Sequence, residues 1–254
     1  GLRRVHRETT VSHWYDPVTG FLLDKVPYKD PKRKGEYRDA TLADARPLGY
    51  LPSVTTVLAL LAKMGLYPWQ MEQVAEAAWQ LYEPERDADW VKRVIKKSKE
   101  YTEWTQSFGT ATHWWLNHKL QAVEVQELPP IIPGAEEVAD GVLEWCVEHG
   151  YTFTLTEHRF ARRDLGYAGT VDLIGTRRGK PCIVDIKTQS IPLTPYDPEH
   201  PLQLAGYAMG CGLTSETKRI SIIADRDNPG VVLEKVWPDN DRYDSMFRLL
   251  TEYW

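Results

Sequence analysis

The sequence predicts an α/β fold with a helical N-terminal extension, and two features carry that prediction. Residues 167–176 and 181–188 are short apolar runs rich in Val and Ile, separated by the polar stretch Arg177-Arg178-Gly179-Lys180, which is the pattern of a β-hairpin. On either side the period lengthens to that of a helix, up to His149 before the strands and over residues 198–211 after them. With a first strand near residues 152–161 and a later one near 219–224, the order is helix, three strands, helix, strand.

The remaining elements follow in order. Residues 11–28 read as a short hairpin turned at Asp16-Pro17-Val18-Thr19-Gly20, and residues 29–49 as a polar, charged and mobile connector. Helices are expected over 53–63, 68–81, 85–97 and 99–122, the last presenting Gly109 and His113 one turn apart on one face. Leu128-Pro129-Pro130-Ile131-Ile132-Pro133-Gly134 breaks the chain. A strand near 231–237 and a helix from Asp239 close it. This divides the chain into residues 1–127, a hairpin and helical region that contributes His113, and residues 128–254, the core, within one compact domain.

Asp172, Asp185 and Lys187 lie inside the hairpin strands, where propensity and burial both disfavour them. Alternation sends Asp185 and Lys187 to one face and Ile186 to the other. Two carboxylates brought together repel unless a cation lies between them, and oxygen donors of this kind suit Mg²⁺ or Mn²⁺ better than zinc. Such an ion polarises a phosphodiester while a neighbouring ammonium positions the nucleophile or the phosphate. A hairpin whose aspartates only salt-bridge Lys187 and the turn arginines is the plain alternative.

The wider pattern resembles the PD-(D/E)XK nuclease superfamily and, within it, the RecB-like exonuclease branch. Asp172 followed by Asp185-Ile186-Lys187 resembles its catalytic signature. Gly109-Thr110-Ala111-Thr112-His113 is similar to its Gly-x-x-x-His segment, and Glu157 stands where the branch carries a glutamate before the first aspartate. Gln203-Leu204-Ala205-Gly206-Tyr207 is similar to its Gln-x-x-x-Tyr helix. Upstream, Leu51-Pro52-Ser53-Val54-Thr55 resembles the Pro-Ser-Val-Thr segment of phage-type and mitochondrial genome maintenance exonuclease-like members.

The resemblance implies a restriction-endonuclease-like core, αβββαβ with a mixed sheet, and a DNA nuclease using one or two Mg²⁺ or Mn²⁺ ions. In that scheme Asp172 and Asp185, with the backbone carbonyl of Ile186, hold the main ion, and His113 and Glu157 hold or orient a second. Lys187 positions the attacking water, and Gln203 and Tyr207 contact phosphate or support Lys187. Replacing Asp185 or Lys187 with Ala is then expected to abolish cleavage with little loss of folding. Ser53 and Thr55 are expected near nucleic-acid phosphate, although Ser53 reads equally as a helix N-cap. A role in phage or bacterial recombination or repair comes with the same resemblance.

Composition sets the outer limits. No run of about eighteen apolar residues is present, so no membrane span is expected, and the chain reads as a soluble, intracellular, cytoplasmic protein of bacterial or phage origin. A targeting segment removed before Gly1 stays open. Cys146, Cys182 and Cys211 read as free thiols in a reducing compartment, and three cysteines are too few to ligate an iron–sulfur cluster, which is expected to be absent. No phosphate-cradling glycine loop, serine-hydrolase elbow, zinc ligand pair or internal repeat is present, and His118 and His149 read as ordinary surface or helix-end histidines.

The net charge of −5 opposes a duplex binder, yet Arg159, Arg162, Arg163, Arg177, Arg178 and Lys180 crowd the hairpin, and Arg93, Lys96, Lys97 and Lys99 precede His113. Trp104, Trp114 and Trp115 flank His113, and Trp69, Trp79 and Trp90 lie on the helices before it. Aromatic rings of this kind either fill a core or stack unpaired bases. An exonuclease on single-stranded or frayed DNA ends is the reading, beside a structure-selective endonuclease of the same superfamily, a catalytically silent nucleic-acid-binding module, and an enzyme of small phosphate esters. Oligomeric state is left open.

Overall fold

The computed structural model describes residues 13–23, 25–61, 66–82, 87, 89–121, 131–191 and 198–254. The chain begins with short pieces, β1 (Trp14–Tyr15), β2 (Leu22–Leu23), β3 (Lys25–Pro27), β4 (Tyr37–Asp39), α1 (Leu42–Ala45), β5 (Leu51–Pro52) and α2 (Val54–Leu58). Helices α3 (Leu66–Gln80), α4 (Trp90–Gln121) and α5 (Ala135–Glu148) follow. The second half is β6 (Tyr151–Arg162), β7 (Tyr167–Arg177), β8 (Lys180–Gln189), α6 (Glu199–Gly210), β9 (Lys218–Asp225), β10 (Val232–Trp237) and α7 (Asn240–Tyr253).

The main sheet has the order β10-β9-β8-β7-β6, antiparallel except where β8 lies parallel to β9. A parallel neighbour requires a crossover, which α6 supplies. Helices cover both faces of the sheet. On one, Phe108 and Leu116 of α4 and Val138 and Val142 of α5 pack on Val184, Ile186, Ile220 and Ile222. On the other, Val54 and Val57 of α2, Leu204 and Ala208 of α6 and Phe247 of α7 pack on Ile183 and Val171. Burial on both faces explains why β8 and β9 read as almost unbroken apolar runs.

Two expectations are corrected. The helices expected over 85–97 and 99–122 are a single 32-residue helix in the described residues, α4, because no Gly or Pro interrupts the chain near Ser98, whose hydroxyl bonds the Ile95 carbonyl within the helix. The stretch 29–49 is structured instead of being a loose connector. It forms the β3–β4 ribbon and α1, and the Arg38 guanidinium grips Asp44 through two hydrogen bonds at 2.7 and 2.8 Å. Ala40 and Ala45 from this region enclose the indole of Trp14, which donates to the Ala40 carbonyl.

The N-terminal sheet, in the order β2-β1-β5, docks on the main one through a bridge between Ser53 and Ala168 and a 2.9 Å hydrogen bond between the Tyr15 and Thr170 hydroxyls. Residues 11, 12, 24, 62–63, 85–86, 88 and 122–130, which include parts of several expected elements, lie outside the described residues. Among the described residues, no helix is long and apolar enough to cross a membrane. The three cysteines are free thiols, and burial pushes Cys146 up to about 12 and Cys182 up to about 11.

Candidate functional site

Helix α4 runs close against β8 at Gly109, where a Cβ would stand 3.3 Å from the Thr188 hydroxyl. One turn further on, His113 reaches the sheet and its Nε2 lies 3.1 Å from the Ile186 carbonyl. A carbonyl only accepts, so Nε2–H is the donor and Nδ1 is turned the other way. It faces Glu157 Oε1 at 3.6 Å and Asp172 Oδ1 at 3.5 Å. The second oxygen of Asp172 accepts the Ile186 N–H at 2.7 Å. The backbone of Ile186 is thereby held at both its N–H and its carbonyl while its side chain packs in the core.

Glu157 and Asp172 meet at an irregularity in the β6–β7 pairing. The register runs Thr156 with Leu173 and then His158 with Val171, leaving Glu157 between them at φ 46°. Leu173 belongs to the cluster under α4 and α5, whereas Val171, two residues earlier, belongs to the cluster under α6. On the partner strand Thr156 bonds Asn117 of α4, yet Phe160, four residues later, packs on the α6 side. Regular alternation would keep each of these pairs on one face. Both strands therefore exchange faces at Glu157 and Asp172, which swings the two carboxylates to His113. A left-handed Glu costs about 1–2 kcal/mol relative to an ordinary strand conformation.

The charges reinforce one another. Burial alone would lower the pKa of His113, but the carboxylates of Asp172 and Glu157 outweigh it and raise the imidazole well above its ordinary value. Burial opposes ionisation of Asp172, and His113 with the Lys187 ammonium overcomes it, so that carboxyl lies below its ordinary value. Asp185 behaves differently: burial, opposed by Lys187 and helped by Asp172, pushes it up to about 6.

Asp185 and Lys187 lie on the α6 side of β8, as alternation predicts. Lys187 Nζ donates to Asp185 Oδ1 at 3.1 Å and to Gln203 Oε1 at 3.2 Å, and Gln203 Nε2 donates to the Tyr207 hydroxyl at 2.8 Å. Asp185 is 1% exposed, and its Oδ2, 3.0 Å from the ammonium, has no hydrogen bond. Burial lowers the Lys187 pKa, but Asp185 and Asp172 more than compensate and raise it.

A cleft of about 640 Å³ opens above the first cluster. Of the residues singled out from sequence, Ser53, Thr55, His113, Glu157, Asp172 and Tyr207 line it. Ser53 is also an N-cap, its hydroxyl accepting the Thr56 N–H at 2.9 Å, while Thr55 is exposed. Of the tryptophans, Trp114 lines the cleft with its ring stacked on His118 at 5.0 Å, Trp115 packs on the core, and Trp79 is 79% exposed. The side chain of Trp69 lies outside the described residues. Sequence reading missed Tyr15, Thr170 and Asn117 as lining residues. Asn117, one turn after His113 on α4, and Thr170, two residues before Asp172 on β7, were within reach of periodicity, whereas Tyr15 reaches the cleft only through pairing remote in sequence.

The donor set admits a hard divalent ion. One ligand atom each from His113, Glu157 and Asp172 fall within 4.8 Å of one another, two carboxylate oxygens and an imidazole nitrogen whose other N–H is anchored by Ile186. Asp185, expected to share the main ion with Asp172, faces Lys187 and stands outside this group.

No family model matches this sequence, and no curated protein matches it. Among solved structures, the crystal structure of SSO0001 is similar over 76% of this chain and 88% of its own, with 14% identity and a TM-score of 0.28, a likeness that carries no conclusion about function.

Proposed function

We propose that this protein is a Mg²⁺- or Mn²⁺-dependent deoxyribonuclease on a PD-(D/E)XK-type core, acting as an exonuclease on single-stranded or frayed DNA ends. The observation that carries the reading is the convergence of His113 from α4, Glu157 from β6 and Asp172 from β7 within 4.8 Å, at a cleft and beside the strand that bears Lys187. His113, Glu157 and Asp172 would hold the ion, which supplies Lewis-acid polarisation of a phosphodiester and activation of water near neutral pH. Lys187, kept protonated by Asp185 and aligned by Gln203, supplies a fixed positive charge on the adjoining strand face. The Tyr207 hydroxyl, held by Gln203, lines the cleft and can meet a phosphate oxygen there. Trp114, its ring braced by His118, supports an unpaired strand, since stacking on an aromatic wall tolerates any base.

The test is cleavage of linear and circularised copies of one labelled single-stranded DNA with Mg²⁺, with Mn²⁺ and with chelator, wild type beside Lys187→Ala. Metal-dependent loss of the linear form alone, absent in the variant, is expected. Cutting of the circle makes the protein an endonuclease, and binding without cutting in any metal overturns the enzymatic reading.

A further inference from the structure

We infer that Arg159 is a seat for a backbone phosphate adjacent to the one at the acidic cluster, which makes the outer wall of the cleft a subsite for the DNA strand. The inference takes its ligand from the deoxyribonuclease reading, and its basis is electrostatic. A polyanion entering the cleft meets Glu157 and Asp172, and among the described lining residues Arg159 is the one lysine or arginine. Its guanidinium makes no hydrogen bond or ion pair among the described residues. On the same two strands Arg162 is matched by Asp164 at 2.6 Å and Arg177 by Glu234 at 2.7 Å. A folded protein with a net charge of −5 thus leaves its cleft cation without a carboxylate partner, although Glu157 is only two residues away.

The strand pairing places that exposed side chain at the cleft wall. Arg159 pairs with Thr170 across β6 and β7, and the Thr170 hydroxyl is hydrogen-bonded to Tyr15, which closes the wall from the N-terminal sheet. Two residues along a strand separate Arg159 from Glu157, roughly 6–7 Å, so the phosphate it meets is a neighbour of the one at His113, Glu157 and Asp172. A guanidinium binds phosphate through two parallel N–H donors, which an ammonium cannot reproduce. Arg159 is therefore a positioning residue for the strand, and its effect falls on binding more than on turnover.

The experiment is fluorescence anisotropy of a short labelled oligothymidylate at a series of NaCl concentrations, with Ca²⁺ present. Wild type is compared with Arg159→Ala, Arg159→Lys and Lys180→Ala, the last removing one charge at the exposed β7–β8 turn. Arg159→Ala is expected to bind about tenfold more weakly. Its slope of log K against log salt is expected to fall by about 0.7, the increment for one phosphate on a single strand. Arg159→Lys should regain the slope with part of the affinity, and Lys180→Ala should keep both. An unchanged slope in Arg159→Ala, an equal fall in Lys180→Ala, or no binding by wild type overturns the inference. If wild type binds with the expected slope difference but never cleaves with Mn²⁺, the phosphate seat stands and the deoxyribonuclease reading fails.

Discussion

Two polar groups flank β8, and they are built on opposite plans. On the α6 side, Asp185, Lys187, Gln203 and Tyr207 form a chain in which each member has a partner and the acid is 1% exposed. At the cleft, His113, Glu157 and Asp172 converge with contacts of 3.5 and 3.6 Å, longer than good hydrogen bonds, and the last two are brought together by a strand irregularity. The first group closes around Lys187, which bonds both Asp185 and Gln203, although Asp185 Oδ2 is left without a hydrogen bond. The second is loosely closed, carries a left-handed Glu157 and lines the cleft, which are the properties of a place where a ligand arrives. Residue types alone do not separate the two, since each holds ionisable groups on adjoining strands.

Three substitutions sharpen or break that contrast. The largest effect is expected from Asp172→Asn, which keeps an acceptor for the Ile186 N–H but removes the charge. Metal-dependent cleavage should fall on the order of 1000-fold with the melting temperature little changed. Substantial cleavage by this variant would move the reactive centre away from the cleft.

Next is Lys187→Ala. Asp185 is buried, so stripping its partner leaves a buried acid alone, and a loss of about 3 kcal/mol is predicted in place of the small loss expected from the sequence. Chemical denaturation should show this loss and its partial recovery in the double variant with Asp185→Asn. A neutral Lys187→Ala would mean that the chain on the α6 side does not hold itself together.

The smallest effect separates strain from function. Glu157→Gly should raise stability by about 1 kcal/mol, because glycine adopts φ 46° freely, while lowering the affinity for Mn²⁺ measured by calorimetry. A variant that loses stability would show that Glu157 serves the fold.

Much of this molecule was legible from its residues. The β7–β8 hairpin announced itself because Val and Ile runs flank a polar turn, and α6 because its apolar period is unbroken from Leu202 to Ala208. His113, Glu157 and Asp172 were each named, and they meet. What stayed hidden depends on long-range geometry. Val171-Asp172-Leu173 has the pattern of a regular strand, and nothing in it reports that Val171 and Leu173 face opposite layers. Residues 29–49 look like a linker because their order derives from Trp14 and from the Arg38–Asp44 pair, which no local period encodes. That Asp185 would lie buried against Lys187 is likewise not written in its own strand.

The hydrogen bond between Tyr15 and Thr170 spans 155 residues, and it closes one wall of the cleft. During synthesis at 5–20 residues per second, Tyr15 would leave the ribosome roughly 8–30 s before its partner. The cleft thus needs segments from both halves of the chain, from Tyr15 to Tyr207, and no local piece of chain makes it. A growing polypeptide carries the separate parts of the site but no finished groove, so whatever chemistry the groove performs is withheld until the second half of the chain has been made.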